Sequence, residues 1–219
     1  MGKEDRYGLI QFLRDYPKMS IVPSKDVSLL FKLRGRFDFQ VQLNEPINGS
    51  FMLEILVPIN YPQDLPVVKE VERQIPLDGW HHVNSDGSLC LGSPIRLLKK
   101  VHDNPNLTGF AENCLVPFLC AISYRFKFGG DFIYGELRHG AEGIIDDYKD
   151  LLGLKTKSQV LKTLKLLGMR KKRANKKLCP CGCNRKLGAC EFHYKLNDLR
   201  KIASRSWFRE HFKKLKKEK

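Results

Sequence analysis

Cys90 is the residue of this 219-residue chain whose setting most favours nucleophilic chemistry. It follows a polar, glycine-containing turn in the stretch HHVNSDGSLCLG, residues 81–92, and two histidines, His82 and His81, lie eight and nine positions before it. A cysteine acts as a nucleophile when it is reachable and partly ionised, which backbone donors or nearby cations promote. The small residues around the turn favour access. The sequence therefore leaves two interpretations, an accessible nucleophile or a structural cysteine at the end of a strand.

A dense group of potential metal ligands lies near the end of the sequence. The stretch CPCGCNRKLGACEFH, residues 179–193, brings thiol and imidazole ligands together within fifteen residues. Such a set is typical of a closed tetrahedral zinc site, and a knuckle of this size has too little core to fold without its ion. The alternative is a patch of free or redox-active thiols. The predicted zinc ligands are Cys179, Cys181, Cys190 and His193, with Cys183 in reserve.

The net charge of +15 is distributed unevenly along the chain. Residues 155–219 contain 22 Lys and Arg against 4 Asp and Glu, whereas residues 1–154 contain 17 against 20. This break predicts a first domain over 1–154, a basic helical linker over 155–177, and a zinc-binding region with a basic helix over 178–219. The basic part should seek phosphate or an acidic protein surface.

The hydrophobic pattern predicts an α+β fold for the first domain. Residues 4–15 have helical spacing, and Phe37, Phe39 and Val41 alternate with polar residues as in a half-buried strand. The turn residues NEPINGS, then FMLEILVPI, then a proline-bracketed VVKEV predict an antiparallel meander with an edge strand. The stretch NLTGFAENCLVPFLCAISYRFKF predicts a buried helix, in which Pro117 requires a kink or a late start.

The order of these parts resembles the ubiquitin-conjugating enzyme (UBC) fold. The resemblance covers roughly residues 1–150 and rests on FMLEILVPINYPQDLPVV, then DGSLCL, then the apolar crossover helix. Bacterial ubiquitin-conjugating-like proteins, some from anti-phage operons, have a segment similar to YGELRHGAEGIIDDY. The resemblance implies an acyltransferase: Cys90 would accept the C-terminus of a ubiquitin-like protein as a thioester from an activating enzyme. It would then pass it to an amine of a target protein, for which the anti-phage resemblance suggests a nucleotidyltransferase.

The chain departs from the family at the position eight residues before the cysteine. There the family has the Asn of His-Pro-Asn, and this sequence has His82. An imidazole can donate to a developing oxyanion or take a proton from the attacking amine, so His82 is the second predicted catalytic residue, with loop bracing as the alternative. His81 should point the other way, His139 is a weaker candidate to approach the cysteine, and Asn84 and Asp86 are expected to serve the turn. Asp146 and Asp147 are expected on a solvated helix face, and Cys114 and Cys120 in the core.

The zinc-ligand stretch resembles the SEC-C motif, which has Cys-x-Cys, eight residues, and then Cys followed at once by Cys or His. The spacing from Cys181 to Cys190 agrees, but Glu191 occupies the slot of the fourth ligand. His193 is therefore the predicted fourth ligand and Cys183 the reserve.

The final stretch, from residue 194 onwards, predicts one amphipathic basic helix. It could dock on its own domain or a protein partner, bind nucleic acid through phosphates, or lie on a membrane surface. The main alternative for the whole protein is an inert UBC-like scaffold whose tail binds protein or nucleic acid; a thiol hydrolase is a weaker one. The N-terminus does not resemble a secretory signal and no run predicts a membrane span, so we expect a cytoplasmic protein.

Overall fold

A computed structural model describes residues 5–130, 133 and 140–217 of the chain, in two units. The first unit is Met1–Glu136 and the second is Leu137–Lys219. The division lies before the predicted boundary at 154, because the helix Gly140–Leu152 packs on helices of the second unit. Each unit is described separately below.

The first unit contains one antiparallel sheet flanked by helices, which confirms the α+β class at this level. The four strands lie in the order β1-β2-β3-β4, as a meander, and β4 is an edge strand. The elements are α1 (Leu9–Asp15), β1 (Met19–Ile21), β2 (Leu29–Gln42), β3 (Pro46–Pro58), β4 (Val67–Glu70), α2 (Pro94–Asp103), α3 (Leu107–Phe110) and α4 (Val116–Phe128).

The sheet buries one face because apolar residues recur at every second position. In β3, each residue of this set is at most 4% exposed, while the residues between them are half-buried. On the other face, Lys32 of β2 pairs with Glu54 of β3 at 2.9 Å. Along Phe51–Pro58 the buried positions are Phe51, Leu53, Ile55 and Val57, and Ile47 near the start of β3 is buried as well.

The hairpin between β2 and β3 turns earlier than the sequence predicts. Asn48 and Gly49 were expected in the turn, but β3 already begins at Pro46. Gly49 is opposite Phe39 in the strand register, and a side chain at Gly49 would collide with the Phe39 ring. The glycine is thus required for close packing of the aromatic ring, not for turn geometry.

The apolar crossover helix is continuous from Leu107 to Phe128, with a π-turn at Ala111–Leu115. The π-turn precedes Pro117, which lies in the first turn of α4. Proline cannot donate to the carbonyl four residues earlier, and that carbonyl, of Asn113, instead accepts from Lys100 Nζ at 2.9 Å. The helix therefore accommodates Pro117 through the π-turn before it and through the hydrogen bond from Lys100 to the Asn113 carbonyl.

This same segment is the one helix among the described residues that is long and apolar enough to cross a membrane. Its most apolar window is 61% buried within the protein. That burial is typical of a core helix, and it makes the segment weak evidence for a membrane span.

The second unit is helical and has its own core. Its apolar side chains from α6 and from the two last helices are buried together, including Leu164, Leu196 and Phe208, each 0% exposed. The helices are α5 (Gly140–Leu152), α6 (Lys157–Leu167), α7 (Lys171–Ala174), α8 (Phe192–Ile202) and α9 (Arg205–Lys217).

Two expectations for this region change as a result. The stretch 155–177 is not a linker, because α6 contributes to the core of the second unit. The predicted single basic helix is two helices, α8 and α9, which are separated at Ser204, whose hydroxyl accepts from the backbone N–H of Trp207 at 3.1 Å. Their apolar face packs within the second unit. The cysteine stretch accordingly sits on a helical core and not on an isolated knuckle.

Candidate functional site

Cys90 ends a short hairpin that backbone hydrogen bonds attach to the sheet. Leu89 N–H donates to the carbonyl of Val68 in β4 at 2.8 Å, and Val83 pairs with Leu89 across the hairpin. Cys90 N–H donates to the carbonyl of His82 at 2.7 Å. The two residues predicted to be catalytic are therefore neighbours across the base of the hairpin.

Side chains of the turn hold its shape. Asp86 Oδ1 accepts from the backbone N–H of Ser88 at 3.0 Å and from its hydroxyl at 2.6 Å. These bonds lower the pKa of Asp86. Asn84 Nδ2 donates to the Ser88 hydroxyl at 3.0 Å, and Lys69 Nζ donates to the Asp86 carbonyl at 2.8 Å. Asn84 and Asp86 are turn residues, as expected from the sequence.

Cys90 differs in exposure from the other cysteines of the first unit. It is half-buried, whereas Cys114 and Cys120 are 2% and 0% exposed, as predicted for core residues. Burial raises the pKa of Cys114 to about 11. A buried neutral thiol is inert, so Cys90 is the cysteine of this unit that is available for chemistry.

His82 adopts a backbone conformation that is uncommon for a residue with a Cβ. Its φ of +53° is in the left-handed region, directly after the short helical turn Gly79–His81. This conformation turns the chain back towards Cys90, so the carbonyl of His82 accepts from the cysteine. The role of its imidazole remains a prediction.

His81 has a separate set of contacts. Its Nδ1 is 2.8 Å from Asp78 Oδ1, which also accepts from the His81 backbone N–H at 2.9 Å. The hydrogen bond from His81 lowers the pKa of Asp78. The His81 ring also contacts the ring of Phe126, with centroids 5.8 Å apart. Together these contacts assign His81 to the local structure. His139 lies outside the described residues.

A shallow pocket of about 230 Å³ lies against the same hairpin. Its apolar walls include Leu77, Val83 and Leu89, and Glu70 and Arg73 supply charges of both signs. Cys90 directly follows Leu89 in the chain but is not part of the pocket wall. The hairpin thus borders a concave surface of the size of a few side chains.

The cysteine cluster of the second unit consists of four thiols. Their sulfur atoms all lie within 4.8 Å of one another; Cys179 and Cys181 are 3.1 Å apart, and Cys181 and Cys190 are 3.7 Å apart. Tetrahedral zinc with Zn–S bonds of ~2.3 Å requires sulfur atoms ~3.8 Å apart. The observed spacings lie around this value, and the four thiols could hold one metal ion. The four thiols are those of Cys179, Cys181, Cys183 and Cys190.

A small loop and the start of α8 bring these thiols together. Leu187 N–H donates to the Lys177 carbonyl at 2.8 Å, which closes the loop carrying the first three cysteines. Gly182, with φ of +92°, allows the chain to turn inside it. From α6, Gln159 Nε2 donates to the Cys181 carbonyl at 3.1 Å. The fourth cysteine, Cys190, lies just before α8.

The surroundings of three of the thiols shift their pKa values in different directions. Burial raises the pKa of Cys179 and of Cys181. The backbone N–H of Arg185 and the Cys181 thiol lower the pKa of Cys183 to about 6. The Arg185 cation is next to this thiol, and the interaction raises the pKa of the arginine in turn. Thiolate is the form that binds metal, and the loop favours it at one position already.

His193 is not a member of the four-thiol group. Its Nδ1 is 2.7 Å from the carbonyl of Cys190, and its ring contacts Tyr194. The geometry therefore favours the reserve ligand, Cys183, for the fourth position. The short spacing between Cys181 and Cys183, visible in the sequence, was the available signal.

Two polar residues of the second unit, Asp147 and His211, are buried. The sequence predicted Asp147 to be exposed and gave no prediction for His211. Asp147 is 2% exposed and not on a solvated face, whereas Asp146 is partly exposed and pairs with Lys149 at 2.7 Å. His211 is 7% exposed and its ring stacks on Trp207. Burial, with a smaller effect of Lys214, lowers the pKa of His211 to about 4. Neither position carries a local motif, since burial here depends on the packing of α5 and α9.

Comparisons of the chain with protein-family models, with curated proteins and with solved structures gave no match.

Proposed function

We propose that the first unit is a ubiquitin-conjugating-like acyltransferase that carries the C-terminus of a ubiquitin-like protein on Cys90. The observation that supports this most is the setting of Cys90. It is the half-buried cysteine of its unit, at the end of a hairpin fixed by side-chain and backbone bonds. The antiparallel meander before it and the apolar helix after it have the order that the resemblance implies.

The proposed reaction has two acyl transfers. In the first, the Cys90 thiolate attacks the thioester carbonyl held by an activating enzyme; a new C–S bond forms and the enzyme's thiolate leaves. In the second, an amine of the target attacks the Cys90 thioester, a C–N bond forms, and the Cys90 thiolate leaves. The amine loses a proton, which passes to a base or to water. ATP is consumed by the activating enzyme and not by this chain.

The proposal gives His82 one of two roles in the second step. Its imidazole either donates a hydrogen bond to the oxyanion or accepts the proton of the amine. Support comes from the bond between the His82 carbonyl and Cys90 N–H, which keeps the two residues adjacent. Partners would be the ubiquitin-like protein, its activating enzyme and a target protein, in a cytoplasmic setting such as bacterial anti-phage defence.

The experiment uses the purified full chain, ATP, and a cognate activating enzyme and ubiquitin-like protein. We expect an adduct that reductant removes. Cys90→Ala should abolish it, and Cys90→Ser should give an oxygen ester that resists reductant but not alkali. Cys120→Ala, a change at a buried thiol of the same unit, serves as the control and should still form the adduct. An adduct that persists in Cys90→Ala would refute the proposal.

We also propose that the four-thiol cluster binds one structural zinc ion. Four sulfur donors are a common set in closed structural zinc sites, and the four sulfur atoms lie within 4.8 Å of one another, close enough to share one ion. The ion would fasten the loop to the start of α8.

A second candidate function, an inert UBC-like scaffold, is favoured by the charge of the second part of the chain. Residues 155–219 contain 22 basic against 4 acidic residues. A scaffold of this kind would form no adduct, but it would bind an anionic protein or nucleic acid in a salt-dependent way that survives Cys90→Ala.

A further inference from the structure

A groove of about 500 Å³ lies between α6 and α9 in the second unit. Its inner surface is largely apolar, and its rim is basic. We call it the lysine groove. Its residues include Leu161 and Phe212 on the inside and Lys157, Lys162, Lys165 and Lys216 around them.

Helical spacing explains the arrangement. Residues three and four apart lie on one face of a helix, so Lys157, Leu161 and Lys165 of α6 form one row, and Phe212 and Lys216 of α9 form another. The opposite side of α6 is in the core. Leu161 and Phe212 are only half-buried, which leaves apolar surface open between the rows.

The lysines of the groove have no acidic partner in the part of the chain that the structure describes, and no acidic side chain lines it. Elsewhere in the second unit the pattern differs, since Lys201 of α8 pairs with Asp198 and Lys213 of α9 pairs with Glu210. Clustered like charges on a helix surface weaken folding slightly. The cluster is thus not explained by stability of the second unit.

We infer that the lysine groove binds an acidic segment of a partner protein, with a large apolar side chain of that segment inserted between Leu161 and Phe212. The positive charge of the rim is complementary to acidic residues. The apolar interior requires, in addition, an apolar side chain from the partner. A nucleic acid fits less well, because its phosphates would engage the lysine rim but leave the aliphatic Leu161 of the interior without an apolar partner. This inference goes beyond the proposed function, since such binding does not involve Cys90.

The test uses the full chain and a panel of fluorescent 12-residue peptides of Glu and Asp that carry one or two Leu or Phe residues. Binding is measured by fluorescence anisotropy. Two matched sets of probes replace the apolar residues by Ser, or the acidic residues by Gln, and a 12-nucleotide oligo-dT tests for nucleic acid. We expect that at least one acidic apolar peptide binds, and that either replacement weakens it about tenfold or more.

Charge reversal locates the site. Lys162→Glu with Lys165→Glu should weaken the peptide about tenfold or more. The control, Lys171→Glu with Lys172→Glu on α7, makes the same change of charge at exposed positions outside the groove and should have little effect. Thermal melting checks that both variants are folded, and Leu161→Ser tests the apolar contact separately.

Three results would overturn the inference. One is that no acidic apolar peptide binds the wild-type chain. Another is equal weakening by the groove and control variants, which would indicate binding to net charge alone. The third is tighter binding of oligo-dT than of every peptide, with the same dependence on Lys162 and Lys165, which would assign the groove to nucleic acid.

Discussion

The backbone N–H of Cys90 donates to the carbonyl of His82 at 2.7 Å. This bond closes the base of a hairpin whose tip is held by Asp86 and Ser88. The eight-residue separation of the two residues in sequence thus becomes direct adjacency in space. The thiol at this position is therefore held by a hydrogen-bonded hairpin, as the proposed acyl transfer would require.

Substitution of His82 should separate the two transfer steps. We expect His82→Ala to form the Cys90 adduct at a near-normal level but to slow its discharge to an amine about 100-fold, because an oxyanion donor or a base is lost. His82→Asn should retain most discharge if the imidazole is a donor, and asparagine tolerates the left-handed backbone. Single-turnover discharge of preformed adduct measures this. Unchanged discharge in His82→Ala would limit His82 to bracing the loop.

Loss of the turn carboxylate should loosen the hairpin. Asp86→Ala removes both hydrogen bonds to Ser88 and should lower the free energy of unfolding by about 1 kcal/mol, the usual worth of such partly exposed bonds. Denaturant unfolding measures the change. Asp103→Ala, at an exposed position at the end of α2, is the control and should lie within experimental error. An effect of the same size in both variants would contradict the assigned role of Asp86.

The metal proposal predicts one zinc per chain by elemental analysis. Cys183→Ser should lose most of the metal, because it removes one of the four sulfur donors, while His193→Ala should keep it. Chelation should lower the melting temperature of the wild type, and zinc should restore it. The reverse ranking, with metal lost in His193→Ala and kept in Cys183→Ser, would return the fourth ligand to the position first predicted from the sequence.

Acid should destabilise the second unit through His211. Its folded pKa of about 4 lies below the ordinary value of 6.5, because burial disfavours the charged ring. The unfolded state therefore takes up the proton first, and stability present above pH 6.5 is lost as the pH falls towards 4. The loss should be about 3 kcal/mol at most. Lys214 adds to the same effect, and the nearby Tyr148 is neutral throughout this range, which burial extends by raising its pKa further.

This dependence is measured by unfolding in denaturant at pH values of about 7, 5.5 and 4.5, which cover most of the range between the unfolded and folded pKa of His211. His211→Phe keeps an aromatic ring against Trp207 and should show a flatter profile than the wild type. Comparison of the two chains at each pH removes effects that they share, such as protonation of thiols. Parallel profiles would show that His211 does not contribute.

Gly49 offers a test of the sheet packing. Gly49→Ala should destabilise the first unit by about 1–3 kcal/mol, because the new methyl group collides with the Phe39 ring. Gly79→Ala is the matched control, since a Cβ there meets nothing within 4 Å. Similar melting temperatures for both variants would contradict the packing described for β2 and β3.

Local pattern was sufficient for some parts of this fold and not for others. Alternation at Phe37 and Phe39 predicted β2, and the prolines around VVKEV predicted an edge strand, because both signals lie within one element. Gly49 was misplaced in a turn, since the ring that covers it comes from another strand. The burial of Asp147 and His211 likewise arises from packing between helices that are far apart in sequence.

In the cysteine stretch, residues 179–193, local sequence pattern was likewise sufficient for one prediction and not for another. The presence of a ligand cluster could be predicted from spacing alone. The choice between Cys183 and His193 could not, because it depends on how the loop folds back on α8. Similarly, the order of elements predicted an antiparallel sheet with a cysteine after it, while the division of the chain before α5 required tertiary contacts.

The side chain of Gln159 links the first turn of α6 to the loop that carries three of the cysteines. Its Oε1 accepts from the backbone N–H groups of Lys155 and Thr156 at the start of α6, and its Nε2 donates to the Cys181 carbonyl. A single amide group therefore closes the first turn of one helix and anchors the sulfur-rich loop. If the proposed ion holds that loop in place, we expect its removal to loosen the first turn of α6 as well, because the same amide group bonds to both.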